Sequence, residues 1–177
     1  YPLGFGLDST SDFTYTLKKP ITISASNTII RFDQLVLVEG HANGAIFGTD
    51  EFNDYVIIEG SKDNGETWIP FVDGYDAEEE SVWQNAITSG SPGAATMYRT
   101  RIINMQESGD FNTGNQVLIR FRLFSNAENS GWGWAIDNLY IQNPITGVED
   151  LLESGISIYP NPARENFTIE ADAAASP

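Results

Sequence analysis

Residues 116–125, Gln116-Val117-Leu118-Ile119-Arg120-Phe121-Arg122-Leu123-Phe124-Ser125, decide the fold class. Val117, Ile119, Phe121 and Leu123 fall on one face at period two, with Arg120 and Arg122 on the other. That is the spacing of a strand with one face in a core. The same signature recurs outward from this run. Phe13, Tyr15 and Leu17 alternate with Thr14, Thr16 and Lys18 until Pro20 interrupts. Residues 28–38 are a long β-branched and aromatic run, residues 54–60 and 67–72 flank a turn, and further strands are expected at 97–104 and 133–142. A helical period is missing at any length, and only a short helical turn near residues 78–84 is expected. Strands separated by Gly, Asn, Asp and Pro clusters, without intervening helices, predict an all-β antiparallel sandwich. The connections 40–53 and 73–96 are long and rich in Gly, Ser and acids, which makes them the expected functional surface.

Composition sets the limits. A chain of 177 residues suits one sandwich-sized domain with a short appendage. Hydrophobic residues at 41% and aromatics at 12% supply a core. Nine Lys and Arg against 25 Asp and Glu give a formal charge of -16, which repels phosphate backbones and anionic lipid and favours divalent cations. Nucleic acid is therefore not an expected partner. Without cysteine there are no disulfides, no thiol catalysis and no thiolate zinc site. No apolar run approaches membrane-spanning length, so direct membrane insertion is not expected. The start at Tyr1, with neither methionine nor signal peptide, reads as a fragment or mature product whose leader lies elsewhere.

Ser61-Lys62-Asp63-Asn64-Gly65-Glu66-Thr67-Trp68 reads as a tight hairpin. Asn64-Gly65 supplies positive φ angles, Asp63 accepts from turn amides, and Trp68 anchors the returning strand. The pattern resembles the Asp-box of sialidases, a structural hairpin repeated in each of several propeller blades. Here it occurs once, so a sialidase is not implied.

Gly131-Trp132-Gly133-Trp134-Ala135-Ile136-Asp137-Asn138-Leu139-Tyr140-Ile141, following the 117–124 strand, is similar to the closing strands of MAM-like jelly-roll domains of large bacterial surface proteins. The resemblance extends back through 30–39 and 55–68. It implies a jelly-roll β-sandwich over residues 1–143 and one structural calcium. At strand period Asp137 shares a face with Ala135, Leu139 and Ile141, and both faces of that strand are largely apolar. A carboxylate partly buried there needs a partner. Two readings stay open: pairing with Arg120 or Arg122 on a neighbouring strand, or a calcium site with Glu39 and Asp54, since hard oxygen ligands suit Ca2+.

Catalytic constellations are thin. His41 is the single histidine, and one histidine builds neither a triad nor a metal cluster. Asp73, Asp76 and the acids at 78–80 sit in one acidic loop, which reads as solvated charge rather than as a spaced carboxylate pair. The aromatics Tyr75, Trp83, Trp132 and Trp134 lie in or beside loops, where rings either stack on sugars or plug the ends of the core.

After Gln142 the composition shifts. Residues 144–155 read as a linker. Ile156-Ser157-Ile158-Tyr159-Pro160-Asn161-Pro162-Ala163, then Phe167-Thr168-Ile169, closely resembles the first strands of the type A C-terminal sorting domain of the type IX secretion system of Bacteroidota. The two prolines flank a rigid turn, and Asn161 can bond its own backbone. The resemblance implies export across the outer membrane to the cell surface. Its implied partners are the outer-membrane translocon and the shuttle or sortase proteins, with Tyr159, Pro160, Asn161 and Pro162 as the sorting motif. The family's domain runs on through more strands to a basic end, whereas residues 171–177 here are ADAAASP, so 156–177 reads as a truncated sorting domain and a short β appendage. Together these readings predict a non-catalytic accessory or adhesion-type module of a secreted surface protein. It is calcium-stabilised and contacts a glycan or surface protein, and any enzyme domain lies upstream. The alternative is a structural spacer and secretion cargo whose partners are the type IX machinery, and a third reading, with less weight, is part of a secreted peptidase or glycosidase.

Overall fold

The computed structural model describes residues 10–126, 131–142, 156–159 and 168–171. Two compact units divide the chain, Tyr1–Gln142 and Asn143–Pro177. The first is an antiparallel β-sandwich. Its strands are β1 (Ser11–Thr16), β2 (Ile21–Thr22), β3 (Ile29–Leu37), β4 (Tyr55–Ser61), β5 (Ile69–Pro70), β6 (Arg99–Asn104), β7 (Gln116–Ser125) and β8 (Gly133–Ile141). One sheet runs β1-β7-β4-β5, with β2 also on β7; the other runs β6-β3-β8.

The 116–125 alternation works as the sequence predicts. Val117, Ile119 and Phe121 are buried, while Arg120 and Arg122 stand on the far face of β7. Phe121 meets Phe32 of β3 edge-on at 5.7 Å between centroids, closing the two sheets on each other. On β3, Ile30, Phe32, Gln34 and Val36 face this core, yet Leu35 and Leu37 are buried as well. Their face is covered by helix α1 (Ser81–Ser89) and by the segment through Gly93, whose missing side chain leaves room for Leu35. Gln34 is the polar centre of the core: its Oε1 accepts from the Tyr75 hydroxyl at 2.7 Å and from Trp134 Nε1 at 3.0 Å. Both donors are thereby satisfied in a dry site.

The helix runs further than the sequence predicts, to Ser89. A 3-10 turn at Ala77–Glu79 precedes it, capped by Asp76, whose Oδ1 accepts from Glu78 N at 2.8 Å. Trp83 and Ala86, one turn apart, supply its buried face.

The 61–68 hairpin forms on the residues that predict it. Asn64 and Gly65 have φ 59 and 97. Ser61 Oγ receives the Gly65 amide at 2.7 Å, and Asp63 Oδ1 receives the Thr67 amide at 2.9 Å. Just before it, Gly60 sits so deep between the sheets that a Cβ would come within 2.7 Å of both Phe71 and Phe111.

In the second unit, β9 (Ile156–Tyr159) pairs antiparallel with β10 (Thr168–Ala171), Tyr159 opposite Thr168 and Ile158 opposite Ile169. Pro160, Asn161 and Pro162 of the sorting motif lie outside the described residues.

Candidate functional site

The two sheets do not close on one side. Among the described residues β1 pairs only with β7 and β8 only with β3, so one edge of each sheet is unpaired where the core reaches the surface. Between these edges lies an open groove of about 640 Å³, floored by Phe121, Leu123 and Trp134 and walled by Phe13, Tyr15, Ile136 and Leu139. Its walls are unusually apolar for surface: Phe13 is 60% exposed, Tyr15 70%, Ile136 36% and Leu139 37%. A contiguous patch of this kind marks a contact surface. The period-two pattern of β1 points to these rings, but it reads equally as an ordinary core face. Only the strand order, with β1 and β8 both terminal, leaves them uncovered.

Asp137 lies on the groove's rim, which corrects both sequence readings of it. Between Arg31–Tyr140 and Asp33–Asp137 the register shifts, so Asn138 and Leu139 together oppose Phe32, and Asn138 adopts φ 50. This β-bulge breaks the period-two phase. Asp137 is exposed and accepts the Asn138 amide at 2.8 Å. Neither arginine reaches it. Arg120 Nε bonds Glu59 at 2.6 Å and lies over the Trp68 ring, while Arg122 grips Asp12 with Nε and Nη2 at 2.8–3.1 Å. Nor does Asp137 join Glu39 and Asp54; its cross-strand neighbour is Asp33.

Glu39 and Asp54 do come together. Asp54 is fully buried. Its Oδ2 accepts from the Glu39 amide at 3.3 Å and the Ser125 hydroxyl at 3.1 Å, and its Oδ1 from the Asn126 amide at 2.8 Å. Burial, reinforced by the Glu39 charge, pushes the Asp54 carboxyl above the usual carboxylate range. Both Asp54 oxygens therefore face N–H and O–H donors, with the partly buried Glu39 beside them. A third carboxylate does not join them: among the described residues no group of three or more His, Cys, Asp or Glu assembles.

Of the four aromatics singled out for ligand contact, burial removes two. Trp83 is 1% exposed, with Nε1 donating to the Met97 carbonyl at 2.8 Å. Tyr75 is 5% exposed, and Arg101 lies over its ring at 4.4 Å. Trp134 is half-buried, packed on Phe32 and Phe121 as the groove's floor. Trp132, 41% exposed, rests beside Gly93.

The 40–53 loop is pinned. The His41 ring stacks on Phe52 at 4.7 Å, and its Nδ1 lies 2.8 Å from Asp76 Oδ2, which also accepts the His41 amide. Phe47 packs edge-on against Phe52 and Tyr55. A carboxylate orienting a histidine is two-thirds of a nucleophilic triad, but no hydroxyl meets the other ring nitrogen among the described contacts. No protein-family model, curated protein or solved structure matches the chain.

Proposed function

We propose that this chain is a non-catalytic accessory or adhesion-type module, a jelly-roll β-sandwich belonging to a large protein exported by type IX secretion to the cell surface. Its binding face is the groove between β1 and β8, and its partner is a glycan or another surface protein. The single observation that carries the binding reading is the exposure of Phe13, Tyr15, Ile136 and Leu139 around one concavity. Four apolar side chains in water around one groove forgo the stabilisation that burial gives, and contiguous patches of this kind mark contact surfaces. Export rests on the resemblance of Tyr159-Pro160-Asn161-Pro162 to the sorting motif, with the outer-membrane translocon and its shuttle or sortase proteins as partners. A calcium ion held by Glu39 and Asp54 would neutralise the carboxylates that burial disfavours, tying the end of β3 to the start of β4. Its role there is structural.

The test is a glycan and surface-protein array probed with the full chain, once in millimolar calcium and once in excess chelator. Saturable binding, lost in Ile136→Glu with the fold intact, is the expected result. Silence under both conditions with folded protein would favour the spacer and cargo reading, and hydrolysis of any arrayed glycan or peptide would overturn the non-catalytic one.

A further inference from the structure

We infer that the groove takes an extended polypeptide strand, added to the free edge of β8, with apolar side chains at alternate positions and a Lys or Arg opposite Asp137. This deepens the binding-module reading and rests on it.

Three observations carry the inference. First, β8 is a nine-residue edge strand whose outward backbone groups meet no other strand among the described residues. An added strand satisfies a row of such groups at once, which a sugar or compact side-chain patch does not. Second, the groove lies beside that edge and is lined by Phe13, Tyr15, Trp134, Ile136 and Leu139. A strand that pairs with β8 points every second side chain into this space and the others to solvent. Third, charge selects the occupant. Asp137 stands directly opposite Asp33 across the strand pair. Asp33 is bonded by Thr100 at 2.6 Å and Asn138 at 2.8 Å, and neither acid takes part in an ion pair among the described residues. Like charges directly opposite are unfavourable, and a cation arriving on the next strand relieves them. A second copy of this chain would bring another Asp137 and a charge of -16 to the same edge, so self-pairing is disfavoured. The bulge at Asn138 further discourages indiscriminate edge pairing.

The test uses three short synthetic peptides, titrated into the full chain and followed by fluorescence anisotropy. One alternates valine with threonine and lysine. The second has the same composition with the valines consecutive, and the third replaces lysine by glutamate. The alternating lysine peptide is expected to bind tightest. Asp137→Lys should reverse the lysine-over-glutamate preference, changing the ratio of affinities about tenfold. Asp137 is exposed, so this variant keeps its fold, which circular dichroism verifies. Equal binding of the alternating and consecutive peptides would overturn the inference, as would a preference unchanged by Asp137→Lys. Calcium-independent dimerisation abolished by Ile136→Glu would overturn it in favour of a second copy. Binding of a glycan or globular partner that needs Ile136 but ignores all three peptides would sink strand addition while leaving the module reading standing.

Discussion

Replacing Trp83 by alanine tests whether the aromatic-rich loops serve the core or a ligand. The indole is 1% exposed and sits on the buried face of α1, with Nε1 donating to the Met97 carbonyl at 2.8 Å. Burying a Trp removes roughly 150–250 Å² from water. At about 25 cal/mol per Å² this amounts to roughly 4–6 kcal/mol. Compactness of the unfolded chain trims that by roughly a tenth to two-fifths, and the lost hydrogen bond adds about 1 kcal/mol. The expected loss is therefore about 4 kcal/mol, within the range for Trp→Ala in a core. Urea denaturation of the full chain measures it directly. Trp83→Phe should lose only about half as much, because the ring still fills most of the site. Trp132→Ala is the matched control: with 41% of the residue exposed, the same arithmetic gives about half that loss, roughly 2 kcal/mol. Equal losses for Trp83→Ala and Trp132→Ala, or a Trp83→Ala loss under about 1 kcal/mol, would refute the assignment of α1 to the core.

Other perturbations follow from the same packing and charges. Gly60→Ala should cost about 1–3 kcal/mol by overpacking, since its Cβ would lie 2.7 Å from Phe71 and Phe111 and 2.8 Å from Val117; thermal melts read the loss. Calcium at a hundredfold over its Kd should stabilise the chain by about 2.7 kcal/mol, and Asp54→Asn should abolish that gain in calorimetry. Asp63 is held well below the usual carboxylate range by the Thr67 hydroxyl, then by the Thr67 amide and Ser61. Its contribution is therefore present above the unfolded value of 3.8 and fades as pH falls through the lower folded value, so Asp63→Asn should lower the melting temperature at neutral pH and flatten its acid limb. Asp54 runs the other way. Its folded value is raised, so its contribution is present below 3.8 and lost as pH rises through the folded value, and without calcium Asp54→Asn should compare least well with the parent at acid pH.

Strand positions were legible because period two survives in a single sequence. Val117, Ile119 and Phe121 are inward by alternation alone, and Asn64-Gly65 demands a hairpin whatever surrounds it. The apolar run Leu35-Val36-Leu37-Val38 carries a further signal, burial on both faces, and α1 is what covers the second one. That helix was harder to read because Ser81–Ser89 holds few apolar residues and its stability comes from seating Trp83 and Ala86. Asp137 keeps the face of Ala135 as alternation predicts, but the bulge at Asn138 moves Ile141 to the opposite face, across from Ile30, so the apolar company expected around the carboxylate is not there. Arg120 and Arg122 were identified as partners for an acid, but not for the right acids. Their neighbours Glu59 and Asp12 follow from which strands flank β7, a long-range fact that spacing does not encode. The groove was invisible for the same reason: Phe13 and Tyr15 look like core residues until the strand order makes β1 an edge.

The most direct test of the binding face is chemical-shift mapping on the isotope-labelled chain, using whichever ligand the array identifies. Shifts concentrated at Phe13, Tyr15, Ile136, Leu139 and the Trp134 indole are the predicted result. Shifts confined to Trp132 or the 40–53 loop, with the groove signals unmoved, would contradict it.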